Sequence, residues 1–307
     1  MTIHPMRVDH VSIAVRDIDA ALARFRSLLP LAMNVEKRPG YTDDFNWCDC
    51  YIGNFKLELI EAARPGSFVH RFIDRRGEGL HHLSLETTQL PALAARLERD
   101  GLRIVDRWSG GENHMTAFIS PRSAYGALVQ FWHSPELAEP QRPRAAALRL
   151  RSGENIRMFV DHVSLAVRSI DTTLGFFRRY FPITLGPDKH PGYDGSFALT
   201  NFSLKGYKIE LIEQLPGQPP GFVARFLAKR GEGFHHLSID VERLDPLLAQ
   251  LEAEGVRIVD RADLGQGYKT AFISPRSAHG VLIQFWETPI FDQLLEHAAG
   301  AGNHPSD

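Results

Sequence analysis

Four histidines in this 307-residue chain are each followed, at one interval of 48 residues, by a Glu or a Gln. The pairs are His10 with Glu58, His82 with Gln130, His162 with Glu210, and His236 with Gln284. Two neutral imidazoles, one carboxylate and one amide oxygen gathered at one point form a ligand set for a divalent cation. Such a set suits Zn, Mn, Fe, Co or Ni better than Ca or Mg. With one or two positions left for water or substrate, the ion would act as a Lewis acid. It would stabilise an enolate or enediolate as a proton leaves the neighbouring carbon. A lone strand histidine is more often a polar residue on a solvated face. Four at one interval and one orientation are read here as metal ligands, one divalent metal per half of the chain.

These residues need strands that aim them alike. In "DHVSIAV", Val11, Ile13 and Val15 share one face, and His10 and Ser12 take the other. In "GEGLHHLSLE" (77–86), His81, Leu83 and Leu85 share the face that packs under a helix, while His82 and Ser84 oppose it. The second of the two adjacent histidines is therefore the ligand candidate. The same reading of "GEGFHHLSID" (231–240) selects His236, and His81 and His235 are expected to pack structurally. Leu57 and Leu59 back Glu58, and Val129 and Phe131 back Gln130. Helical periodicity follows the His-bearing strands. Ile18, Leu22, Phe25 and Leu29 recur on one face, as do Leu90, Leu93, Ala94 and Leu97. Shorter strand-like runs separated by Gly turns complete each unit, so the chain reads as four β-α-β-β-β modules.

The two halves align almost without gaps. "DHVSIAVRDID" matches "DHVSLAVRSID", and "TAFISPRSAYGALVQFW" matches "TAFISPRSAHGVLIQFW", the mark of a duplicated domain. The expected boundaries are 1–133 and 158–288 for the domains, with a linker rich in Pro, Arg and Ala at 134–157. A tail at 289–307 is expected to form a short amphipathic helix and then disorder. A hydrophobic content of 43% and a net charge of −2 describe a globular chain with neither nucleic acid nor a membrane as its main partner. The N-terminus has no signal-peptide core, so the expected location is cytoplasmic. Cys48 and Cys50 share one strand face and read as two semi-buried thiols rather than a disulfide or metal pair.

At "DHVSIAV", "GEGLHHLSLE" and "ISPRSAYGALVQFW" the sequence resembles the vicinal oxygen chelate superfamily, and most of all its methylmalonyl-CoA epimerases. The superfamily also includes glyoxalase I, extradiol dioxygenases and fosfomycin- or bleomycin-resistance proteins. The resemblance covers both halves. It implies an α+β fold in which paired βαβββ modules form a curved mixed sheet, cupping one metal with the helices outside. His10, Glu58, His82 and Gln130 would serve one cup, and His162, Glu210, His236 and Gln284 the other. The chain departs from the family pattern at the last ligand, which is Gln in both halves where catalytic members mostly carry Glu.

A tight turn at Gly53–Asn54 would set Asp49 directly across from Glu58. These are the candidate catalytic carboxylates of the first domain, with Asp49 as general base. Its counterpart Asn201 cannot take a proton. Lys56 and Lys208, Arg122 and Arg276, and Trp132 and Trp286 are candidate substrate contacts, as steering charges or pocket walls. Glu78 and Glu232 are expected in a solvated turn. The expected function is a metal-dependent isomerase or lyase that moves a proton beside a carbonyl, in the manner of an acyl-CoA epimerase or glyoxalase. An iron(II) extradiol-type dioxygenase is the alternative, followed by a non-catalytic binding or resistance protein. The partner is a small molecule, and the chain is expected as a monomer or homodimer.

Overall fold

Strand and helix follow the periodicities of the chain. In the first half they run β1 (Met6–Ala14), α1 (Ile18–Leu28), β2 (Leu31–Pro39), β3 (Phe45–Ile52), β4 (Phe55–Ala62), α2 (Phe68–Arg76), β5 (Gly79–Thr87), α3 (Leu90–Arg99), β6 (Ile104–Ser109), β7 (Met115–Ile119) and β8 (Val129–His133). The structure, a computed structural model, describes residues 4–111, 114–137, 144–205 and 207–298. The second half runs β9 (Ala146–Arg149), β10 (Asn155–Ala166), α4 (Ile170–Tyr180), β11 (Ile183–Leu185), β12 (His190–Pro191), β13 (Phe197–Leu204), β14 (Tyr207–Gln214), α5 (Phe222–Arg230), β15 (Gly233–Val241), α6 (Leu244–Ala253), β16 (Ile258–Gly265), β17 (Tyr268–Ile273), β18 (Ile283–Glu287) and α7 (Phe291–Ala298).

Each half builds one mixed sheet. The first has the order β2-β3-β4-β1-β5-β8-β7-β6, and the second has β11-β13-β14-β10-β15-β18-β17-β16 with β9 on β10 and β12 on β13. The strands that carry the eight candidate ligands are therefore the central four of each sheet: β4, β1, β5 and β8, then β14, β10, β15 and β18. The helix-side residues Val11, Ile13, Phe25, Leu57 and Leu59 are buried together with Cys48 and Cys50. Both cysteines are at 0% exposure, more deeply placed than expected. Burial pushes the Cys48 thiol up to about 12 and raises that of Cys50 too.

The sheets' ends are closed by two helices that the module reading did not contain. α2 sets Val69 and Ile73 against Ala14, Phe45 and Ile60. α5 sets Val223 against Ala166, Phe197 and Ile212. Ala14 and Ile60 lie in the same strand phase as His10 and Glu58, so α2 covers the far end of the ligand-bearing face. Their short apolar stripes, "FVHRFI" and "FVARFL", were not singled out from the sequence.

The halves differ at the sheet edge. Where β2 is continuous, its counterpart is split into β11 and β12, because Pro187 follows Gly186 and has no N–H for the ladder. The segment expected as a linker carries β9, which forms an antiparallel ribbon with the start of β10, pairing Ile156 with Leu148. The tail helix forms as α7, with Phe291 under the Arg157 guanidinium at 5.2 Å. The rest of the tail, expected to be disordered, lies outside the described residues. No helix among the described residues is long and apolar enough to cross a membrane.

By contact, the chain gathers into two compact units that each draw on both halves. One packs the second module, from His81, with residues His162–His235. Within it the Arg96 guanidinium donates to the Arg179 carbonyl at 2.9 Å, and Tyr125 meets Phe176 edge-on. The other packs Ser12–Leu80 with the fourth module, from His236. There Arg24 Nε donates to the Ser277 carbonyl at 2.8 Å, and Phe25 meets His279. Gly280, at φ +79°, lies against the Glu78 carbonyl where any Cβ would overlap it, and Gly126 repeats the contact against Glu232. Glu78 is consequently no solvated turn residue. Its Oε1 accepts the Arg16 N–H at 2.8 Å and lies 3.2 Å from His279 Nδ1. Glu232 likewise accepts the Arg168 N–H at 2.8 Å.

Candidate metal centres

The strand phases bring the expected residues together. Ligand atoms of His10, Glu58 and His82 all lie within 4.8 Å of one another, and those of His162, Glu210 and His236 do the same. His10 Nε2 is 3.3 Å from His82 Nε2, and His82 Nε2 is 3.1 Å from Gln130 Oε1. Two nitrogen ligands about 2.1 Å from one ion stand about 3.0–3.4 Å apart, so the first group has the spacing a divalent cation requires. The donor set of two imidazoles, a carboxylate and an amide oxygen fits the ion as well. His10, His82 and Gln130 are buried and Glu58 is partly so, which keeps competing water low.

Around the first group the orientations of the two histidines have visible causes. Asp9 Oδ2 accepts the His10 Nδ1 proton at 2.7 Å, which leaves His10 Nε2 facing the group. Asp9 was not singled out from the sequence, although "DH" recurs in both halves. His82 packs edge-on against Phe118, and its Nδ1 lies 2.8 Å from the Nδ1 of His81. His81 is thus buried, as a packing residue would be, yet it also touches the ligand candidate beside it. Its burial lowers its pKa to about 4, so it is neutral across the physiological range. His235 has its pKa lowered to about 4 by burial as well, and it rests on Phe222 and Phe226 of α5.

The second group is held by different bonds. Ser164 Oγ donates to Glu210 Oε2 at 2.9 Å, and His162 Nε2 is 3.6 Å from the same oxygen. Gln284 Nε2 donates to Thr270 Oγ1 at 3.0 Å, and Thr270 in turn donates to the Phe285 carbonyl. In the first group, Ser12 Oγ and Thr116 Oγ1 at the matching positions are buried with no hydrogen-bond partner.

The turn at Gly53–Asn54 forms, pairing Ile52 with Phe55 and Asp49 with Glu58. Asp49 is 4% exposed, and Lys56 Nζ lies 3.1 Å from its Oδ2, which gives Lys56 an internal partner where a steering charge had been expected. Asn201 takes the matching place opposite Glu210. Lys208 lies beside His162 in the parallel β10–β14 register. Trp132 stacks on Trp108 with centroids 6.4 Å apart, whereas the position that matches Trp108 in the second half is Ala262. Trp286 is half-buried and pairs across the strands with Thr270. Arg122 and Arg276 sit exposed in short 3-10 turns after β7 and β17.

Comparison with known proteins agrees with this architecture. A model of the Glyoxalase/Bleomycin resistance protein/Dioxygenase superfamily matches residues 9–118 and again 161–272. The uncharacterized protein YqjC of Bacillus subtilis is 34% identical over 137 residues, 44% of this chain and 93% of that protein. An ethylmalonyl-CoA/methylmalonyl-CoA epimerase of Cereibacter sphaeroides is 29% identical over 131 residues, 40% of this chain and 95% of that protein. Each of these relatives is thus about one half of this chain in length. A variant of 4-hydroxymandelate synthase from Streptomyces coelicolor covers 92% of this chain and 93% of its own, with a TM-score of 0.60 and 17% identity, a likeness of fold. Matched in both halves, the chain belongs to the Glyoxalase/Bleomycin resistance protein/Dioxygenase superfamily.

Proposed function

We propose that this protein is a divalent-metal-dependent enzyme of the isomerase or lyase type that moves a proton next to a carbonyl, and that its first domain is the more competent one. The observation that carries the reading is the convergence of His10, Glu58 and His82 beside an Asp49 that stands directly across from Glu58. A divalent ion held there supplies Lewis-acid stabilisation of the charge that develops on a carbonyl oxygen. His10, Glu58, His82 and Gln130 hold that ion, and their counterparts His162, Glu210, His236 and Gln284 hold a second. Asp49 takes the α-proton on its carboxylate, with Lys56 fixing the carboxylate's position from 3.1 Å. The Trp108–Trp132 stack supports an apolar wall on the first domain's side. Arg122, Arg276, Lys208 and Trp286 are contacts for the rest of the substrate.

An acyl thioester with an acidic α-carbon is the substrate class favoured by the likeness to the ethylmalonyl-CoA/methylmalonyl-CoA epimerase. The test is incubation of the metal-loaded protein with methylmalonyl-CoA in deuterated water, with metal content measured in parallel. Close to two metals per chain and deuterium at the α-carbon are expected. One metal should disappear in His82→Ala and one in His236→Ala. Oxygen consumption with a catechol and no exchange of the thioester would overturn the reading in favour of a dioxygenase.

A further inference from the structure

Trp132 and Trp286 hold the same place in the two halves but have different neighbours. In the second module Trp108 is paired with Thr116, and Thr116 with Trp132. Directly opposed residues share a sheet face, so both indoles stand on the face of Gln130, two residues before Trp132. There they stack, with planes 16° apart and centroids 6.4 Å apart. The fourth module repeats this register with Ala262, Thr270 and Trp286. Ala262 offers a methyl group in place of the ring. Among the described residues, partly buried Trp286 meets no other aromatic ring and no hydrogen-bond partner. The ligand side of the two modules is nevertheless alike. His82 packs edge-on against Phe118, the register partner of Gln130, and His236 does the same against Phe272, the register partner of Gln284. What changes is the wall beside the ligand candidates, not the candidates themselves.

We propose that Trp286 is a stacking platform, and that the ligand of the second domain carries a flat aromatic or heteroaromatic ring. The ring takes the place beside Trp286 that Trp108 fills beside Trp132. The inference rests on the metal reading of His236 and Gln284, which hold the ion that the ligand's oxygen atoms reach. An indole with one face uncovered attracts a second flat ring through dispersion and quadrupole contact, and a saturated ring of the same size gains less. In the first domain Trp108 already covers that face, so a ligand without a ring suits it better. The third module loses ring bulk as well, with Ser203 and Leu199 where the first module has Tyr51 and Trp47. The two domains therefore differ in the shape of ligand they take, and not only in Asp49 against Asn201.

The probes are benzoate and cyclohexanecarboxylate, which match in charge and carbon number and differ in flatness. Each is titrated by NMR into the zinc-loaded full chain carrying His82→Ala, which silences the first group. Zinc content is measured beforehand. Benzoate should bind more tightly by about 3- to 10-fold, its ring protons should move upfield, and they should give cross-peaks to the Trp286 indole. Ala262→Trp, which restores the cover found in the first half, should erase the preference, and so should Trp286→Leu. No binding of benzoate, equal binding of the two probes, or a preference that survives in a folded Trp286→Leu overturns the inference. A chain that takes up no zinc overturns the metal reading instead. The same titration of the metal-free protein then decides the stacking, with cross-peaks to Trp286 upholding it and their absence overturning it. Should Trp286→Leu fail to fold, the cross-peaks in its parent decide alone.

Discussion

Asp49 and Glu58 are paired residue for residue across the β3–β4 hairpin, and the equivalent pair in the second half is Asn201 with Glu210. The two carboxylates thus share one strand face, one within the candidate metal-binding group and the other beside it. Asp49→Asn keeps the shape of the side chain and removes its capacity to take a proton. Exchange of the substrate α-proton should fall by about 10²- to 10⁴-fold while metal content stays at the wild-type value. Deuterium incorporation followed by NMR reads the first quantity and elemental analysis the second. Full exchange by the variant would place the base on another residue.

Thr270 holds Gln284 by accepting its amide at 3.0 Å, and this bond sets which way the Gln284 oxygen faces. Thr270→Val preserves volume and loses the bond. The affinity of the second group for zinc should drop by about 10-fold or more, with the first group unchanged. Zinc titration of Thr270→Val in a His82→Ala background isolates the effect. An unaltered affinity would show that Gln284 contributes nothing to the second group.

Much of the site was legible because strand alternation is strict. With Leu83 and Leu85 on the core side, His82 had only one direction to face, and the two-residue turn at Gly53–Asn54 carried Asp49 opposite Glu58. What escaped were features set by contacts between distant segments. α2 is nine residues long, too short to declare itself by periodicity, and it is stabilised by packing Val69 and Ile73 on Ala14 and Ile60. Glu78 reads as a turn residue until the Arg16 N–H and His279 arrive from elsewhere in the chain. His81 reads as a core residue because alternation describes faces, not the reach of a ring toward its neighbour.

Glu61 links three elements, accepting the Ile18 N–H at 2.7 Å and an Asn46 amide proton at 3.0 Å, with Lys37 Nζ at 2.6 Å. Burial works against its charge, but Lys37 and the two donors prevail and hold the carboxyl below its ordinary value. A folded-state pKa below that of the unfolded chain means that the unfolded chain binds this proton more readily. The stabilisation is complete above the unfolded value of about 4.3 and fades as pH falls through the folded one. Glu61→Gln should cost about 1.5–3 kcal/mol at pH 7, and the gap from wild type should narrow at acid pH. Urea unfolding at both pH values measures the difference, and an equal gap at each would show that the charge on Glu61 is not what stabilises the link.

Gly280 and Gly255 share a left-handed backbone, with φ of +79° and +75°, but have different surroundings. A Cβ at Gly255 meets nothing within 4 Å, whereas at Gly280 it would fall 1.8 Å from the Glu78 carbonyl oxygen and 2.2 Å from its carbon. The conformation alone costs an alanine about 1–2 kcal/mol. Gly255→Ala should lose about that much. Gly280→Ala must in addition push the Gly280 and Glu78 backbones apart, and its loss should exceed that of Gly255→Ala by about 2 kcal/mol or more. The Glu78 segment runs directly into the strand that carries His82, so the same variant should also loosen zinc at the first group. Equal melting temperatures for the two variants would mean that the Gly280–Glu78 contact yields without cost, and unchanged zinc affinity would confine its role to stability.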